Sequence, residues 1–342
     1  MSASYVLHCN NHIFWHANLT RTYMPPKDTR AAARRHGVRN GMDEREVKKV
    51  DSGYLGKDED KSPAGDESKK STTPKGIIKA IKLETLPNQH QKATPEQILE
   101  YLLSDAALQY CRPDDEARDI ESHRADMITY SSQLLSPFEE LLCAVVLSRP
   151  ISHRLGLRTI RTILNKPYSL RDPLAIKTAG PKKVLKALEA ACTQHKDKTA
   201  DEISLLAEAV SNNDWHNDLS KLRAQSKNGV ESEREVLRRS VKGLGKTGLD
   251  IFYRRVQWQW DEAFPFVDAR TQAALGRMGL PKRAEEIEKL IESRWTDLNS
   301  GEGDGHDLET RKRRVFVVLL ERAIGADLEK KIDQVLNEAS KL

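Results

Sequence analysis

The chain has 342 residues, with 56 Lys and Arg against 51 Asp and Glu and a formal net charge of +5. It is 38% hydrophobic with a mean hydropathy of -0.64, low for one compact globule of this length, and no apolar run reaches the length of a bilayer span. Cys9, Cys111, Cys143 and Cys192 lie far apart without paired spacing, which excludes a disulfide scaffold or zinc ribbon and fits a reducing compartment.

Met1 to Leu19 lack the charged start and apolar core of a secretory signal. Thr20 to Asn40 is rich in Arg and Ala, a composition shared by solvated basic arms and mitochondrial leaders. Asp43 to Lys75 is mostly charged and small polar residues, with too little apolar surface to offset ordering entropy. Lys75 to Lys82 reads as a linker, a short strand or a basic localisation patch. Residues 1–88 are therefore expected to form a disordered arm, and 89–342 a helical region.

Thr94-Pro95-Glu96-Gln97 is a helix start, with a capping hydroxyl, Pro at the first helical position and Gln two residues further on. Ser136-Pro137-Phe138-Glu139 repeats the signal ahead of a broad apolar face formed by Leu141, Leu142, Val145 and Val146. A helix is predicted from Ser152 to Leu164, and others near 181–193, 201–210, 231–241, 248–258, 269–279, 282–295 and 310–337. The β-branched block Val315 to Leu320 reads equally well as a strand or as a buried helix. Alternating strand patterns are otherwise missing, so the fold class expected is all-α.

Chemistry concentrates in Leu237 to Leu249, followed by Phe264 to Arg270. Ser240-Val-Lys-Gly-Leu-Gly-Lys246-Thr247 approaches a nucleotide-binding P-loop, but Ser240 replaces the first Gly and a charged helical segment stands where the strand belongs. A second reading is a helical hairpin. Gly243 and Gly245 permit a tight turn, and Leu244 plugs the gap between amphipathic segments carrying Leu237 and Val241 on one side and Leu249, Phe252 and Val256 on the other. Such a turn offers backbone N–H groups at the second helix's start, where the dipole favours a phosphate, with Lys242 and Lys246 alongside. The third reading is an ordinary helix-to-helix turn with solvated lysines. Asp268 has a plain alternative too, as the cap of the helix that follows it.

These landmarks occur in a particular order. Ser136 to Ser148 ends in Leu-Ser, Val241-Lys-Gly-Leu-Gly-Lys-Thr-Gly-Leu249 follows, then Pro265-Phe-Val-Asp268, then Arg277-Met-Gly279. In that order and spacing, residues 130–295 resemble the helix-hairpin-helix DNA glycosylase superfamily, the endonuclease III and adenine glycosylase group. The resemblance implies a two-lobed helical fold and a DNA N-glycosylase of base excision repair, acting on double-stranded DNA with a damaged or mismatched base. It implies a catalytic Asp268, whose anion stabilises the oxocarbenium-like sugar as the flipped base leaves. DNA contacts are implied for Lys242, Gly243, Leu244, Gly245 and Lys246.

In an ungapped match Thr247 stands where bifunctional members carry their nucleophilic Lys, which implies a monofunctional enzyme. Lys246 takes that position only if the alignment is gapped. Arg149 and Pro150 follow Ser148 where many members have a Gln wedge two residues after the Leu-Ser, so Arg149 is the substitute DNA contact. With no cysteine after Cys192, the family's iron–sulfur cluster is not expected, and neither is any other metal or cofactor. A monomer in the nucleus is expected, with the mitochondrion as the other address and no membrane association. The alternative function is a DNA-binding protein that keeps the hairpin without catalysis. Tyr253, Trp258, Trp260 and Phe264 follow the hairpin; they suit a helical core, and none is assigned to a base pocket.

Overall fold

The computed structural model describes residues 92–123, 126–212, 214–227, 229–298 and 305–342. The expected arm at 1–88, with its Lys75 to Lys82 segment, lies outside them. Among the described residues the chain is all helix and turn, without a strand.

The helices in chain order are α1 (Pro95–Leu103), α2 (Leu108–Cys111), α3 (Asp114–His123), α4 (Pro137–Leu147), α5 (His153–Leu164), α6 (Pro173–Ala190), α7 (Lys196–Asn212) and α8 (Ser220–Gln225). They continue as α9 (Val230–Ser240), α10 (Lys246–Val256), α11 (Ala269–Met278), α12 (Ala284–Ser293), α13 (Trp295–Leu298), α14 (Leu308–Leu328) and α15 (Ile332–Ala339). Both predicted start signals form complete capping boxes: Thr94 with Gln97 opens α1, and Ser136 with Glu139 opens α4.

Two differences from the sequence reading have local causes. The helix expected from 181 begins earlier, because Asp172 caps a turn opened by Pro173; Gly180, at φ +71°, then kinks the chain before Pro181 restarts it. The predicted 310–337 helix is two helices, since Lys330 adopts φ +58° between α14 and α15. Val315 to Leu320 is helical, lying inside α14. Helices α3 and α8 carry too few apolar residues for periodicity to reveal them.

Two apolar cores organise the described residues. The first runs continuously from Tyr130 to Ala263 and is built on α4 to α10. The second joins the beginning and end of the described region: Ile98, Leu99 and Leu102 of α1 pack with Leu275 of α11, Ile287 of α12, Phe316 and Leu320 of α14 and Val335 of α15. Helix α10 packs on α4 of the first core and also on α14 of the second. The junction is therefore where α10 ends.

Gly325 shows how closely the second core is assembled. A Cβ there would drive into the Cys111 carbonyl at the end of α2. Backbone cannot yield as a flexible side chain can, so Gly325→Ala is expected to lower stability by about 1–3 kcal/mol. A denaturant midpoint equal to wild type would show that α14 can shift away from α2.

Candidate functional site

The hairpin consists of α9, the turn 241–245 and α10. Gly243 takes φ +84° and Leu244 is buried in the first core. A Cβ on Gly243 would stand 2.5 Å from Oε1 of Glu202, so both backbone conformation and space call for glycine. Gly245 has an ordinary φ of -92°, with open space around the position of a Cβ. No side chain caps α10, whose first i→i+4 bond is Leu249 N–H to Gly245 O. The N–H groups of Lys246, Thr247 and Gly248 thus begin the helix without intrahelical partners. Gly245, Lys246 and Thr247 are exposed there, as is Lys242 within the turn. Residues 231–239, where a P-loop needs its strand, lie within α9.

Arg149 sits beneath this turn. Its Nη2 donates to Gly243 O at 2.5 Å, its Nη1 to Glu202 at 2.6 Å and its Nε to Val145 O at 3.1 Å. The guanidinium is thus directed at the hairpin's own backbone.

Asp268 lies at the other end of α10, where it caps α11. Oδ1 accepts the N–H groups of Arg270 and Thr271 at 3.0 and 3.2 Å. Oδ2 accepts Nη1 of Arg254 at 2.9 Å and the Thr271 hydroxyl at 2.6 Å. With only 7% of its surface exposed, Asp268 has every lone-pair direction occupied. Burial pushes its carboxyl up, but the Arg254 guanidinium and the Thr271 hydroxyl outweigh that and hold it below the usual aspartate value of 3.8.

Arg254 belongs to a larger buried ion network. Its Nε reaches Glu321 of α14 at 2.6 Å, while the adjacent Arg255 donates to Glu140 of α4 at 2.9 Å and to the carbonyls of Tyr130 and Gln133. Burial pushes both guanidinium groups down, and the surrounding anions, Glu321 first for Arg254 and Glu140 first for Arg255, more than reverse it. Two arginines here face three carboxylates, Asp268, Glu321 and Glu140, and burial pushes the Glu140 carboxyl up despite the Arg255 guanidinium beside it. Gln257 steadies the approach to Asp268 by pairing with the carbonyl and N–H of Phe266 at 3.0 and 2.8 Å.

The hairpin residues 242–247 are brought together by the turn, and α10 joins them to Asp268. Eight residues separate Lys246 from Arg254, a rise of about 12 Å along the axis. The sequence reading missed Arg254, Glu321, Thr271 and Glu202. The only signal for Arg254 was the adjacent pair Arg254-Arg255, and basic residues in a helix's last turn ordinarily read as solvated partners of the dipole. The aromatics divide between cores. Phe252, Tyr253 and Trp260 pack edge to face in the first, Phe264 packs on Phe316 of the second, and Trp258 lies against His306 and beneath the Arg314 guanidinium.

Behind Tyr253 lies a second carboxyl pair. Glu233 is fully buried and accepts the Tyr253 hydroxyl at 3.0 Å, while its Oε1 has no hydrogen-bond partner. Neighbouring Glu262 is held in a forked pair by Arg223. Burial, with Glu262 alongside, pushes the Glu233 carboxyl up to about 7. The unfolded carboxyl titrates near 4.5. Stability from the retained proton is complete below that value and is lost as pH rises through about 7. Glu233→Gln supplies a permanent N–H donor, so the variant is expected to gain on wild type from pH 5 to pH 8, by an amount on the order of 2 kcal/mol. Thermal melts of the two proteins that stay parallel across that range would exclude a protonated Glu233.

Among the described residues, no three His, Cys, Asp or Glu side chains are grouped to hold a metal ion, and no helix is long and apolar enough to cross a membrane. Comparison of the chain with protein-family models and with curated proteins gives no match.

Proposed function

We propose that the chain binds duplex DNA through the 241–247 hairpin and acts as a monofunctional DNA N-glycosylase, with Asp268 as its fixed anion. The observation that carries this reading is α10. Its first turn, from Lys246, begins with backbone N–H groups that have no intrahelical partner, with Lys242 alongside, and its last turn holds Asp268 through Arg254. Phosphate binding needs the former; charge stabilisation at the sugar C1′ needs the latter. A carboxylate held below its usual value is poorly suited to accept a proton at neutral pH, so Asp268 stabilises developing positive charge rather than acting as a general base. Thr247, exposed at the first turn of α10, provides no amine for strand cleavage.

One feature favours a second reading, DNA binding without catalysis. Asp268 spends every lone-pair direction within the protein and faces a cation in Arg254. The two readings separate in one experiment, in which the full chain is presented with duplexes carrying uracil, alkylated, oxidised or mismatched bases at several salt concentrations. Salt-sensitive, sequence-independent binding with release of one base class, leaving an intact abasic strand, is the expected result. Binding without release supports the second reading, and loss of both overturns the two together.

A further inference from the structure

We infer that Arg149 and Glu202 are positioning residues that moor the hairpin from beneath, with Arg149 holding the Gly243 carbonyl and so fixing the turn that leads into the first turn of α10. This rests on the hairpin being the DNA-binding element, and it gives Arg149 a role other than touching DNA.

The geometry is specific. Arg149 leaves α4 just beyond Ser148, the C-cap residue, and bonds to Val145 O and the Ser148 hydroxyl within its own element. Its remaining donors go to Gly243 O at the turn and to Glu202 of α7. Glu202 is buried and Arg149 half-buried, with side-chain exposures of 3% and 11%. Glu202 also fills the space beneath Gly243, which a Cβ would need. The turn is therefore fixed from below by one cation and one anion reaching it from two other helices. The N–H of the same peptide plane, on Leu244, closes the turn on Val241 O at 3.2 Å, so holding Gly243 O fixes the turn that leads through Gly245 into α10.

The electrostatics sharpen the inference. Glu202 places an anion directly beneath a surface argued to receive phosphate. Arg149 neutralises it. Removing Arg149 alone leaves a buried, unpaired carboxylate under the turn, whereas neutralising both partners removes the repulsion and leaves a polar contact.

The test uses full-length Arg149→Met, Glu202→Gln and the double variant. Duplex affinity is measured across a salt series, with hydrogen exchange of the 241–248 amides measured on the free proteins. Arg149→Met is expected to weaken binding about tenfold and to speed exchange in the turn, with the slope of affinity against salt unchanged because no phosphate contact is lost. The double variant is expected to recover most of the affinity, and Glu202→Gln to bind at least as well as the double variant. A salt slope reduced by about one, with no recovery in the double variant, would make Arg149 a direct phosphate contact and overturn the inference. Unchanged exchange at the turn in Arg149→Met would overturn it as well. If wild type binds no duplex, the DNA reading fails, and the exchange data still decide whether Arg149 moors the turn.

Discussion

Asp268→Asn is expected to lower base release by at least about a thousandfold while leaving duplex binding within a few fold of wild type. The amide keeps an oxygen for the Arg270 and Thr271 N–H groups, so α11 remains capped. What disappears is the anion. Arg254 retains Glu321, so the guanidinium is not orphaned, and the expected cost in stability is on the order of 1–3 kcal/mol. That cost depends on pH. Asp268 has its carboxyl held low, so its stabilisation is present above the unfolded aspartate value of 3.8 and fades as pH falls through the still lower folded value. Wild type and variant therefore differ most at neutral pH and converge in strong acid. Thr271→Val separates chemistry from folding. It removes the 2.6 Å hydroxyl donor at a comparable structural cost but keeps the carboxylate, so base release should persist. If both variants lose stability and activity in step, Asp268 is a cap alone. Wild type should give no borohydride-trapped adduct, and Lys246→Ala should lower affinity without removing the chemical step. A trapped adduct that disappears in Lys246→Ala would make Lys246 the nucleophile.

Gly245→Trp is expected to weaken duplex binding by about 10–100-fold with little change in melting temperature. The position has ordinary φ and open space, so the ring is accommodated outside the protein, where a phosphate must approach the N–H groups of α10. Gly243→Ala has the opposite profile. Its φ of +84° and the carboxylate of Glu202 beneath it make the substitution costly to the fold. Unchanged affinity in Gly245→Trp would reduce the hairpin to a connection between two helices.

Helix starts were the most legible feature of the sequence, because a cap is a local device. Thr94-Pro95 and Ser136-Pro137 declare themselves within four residues, and both boxes form. The turn at 241–245 was legible for a similar reason, since two glycines around one leucine leave few alternatives. The partners of the site residues were not, because they come from distant segments. Asp268 meets Arg254 across fourteen residues, Arg254 meets Glu321 across sixty-seven, and Arg149 meets Gly243 across ninety-four. Periodicity sorts side chains into faces, but it does not say which charged residue on a face is buried. Arg254 and Arg255 occupy adjacent positions on α10 and both are buried, because the helix ends between two cores rather than on the edge of one.

That placement makes α10 a fixed-length spacer with a rotational phase. Inserting one residue between Phe252 and Arg254 would lengthen the spacer by only about 1.5 Å, but it would turn the two arginines through about 100°, away from Asp268, Glu321 and Glu140. An insertion of four residues, close to a full turn, would nearly restore the phase and move the hairpin about 6 Å further from the carboxylate. Loops elsewhere can change length without affecting this separation; residues within 246–254 cannot.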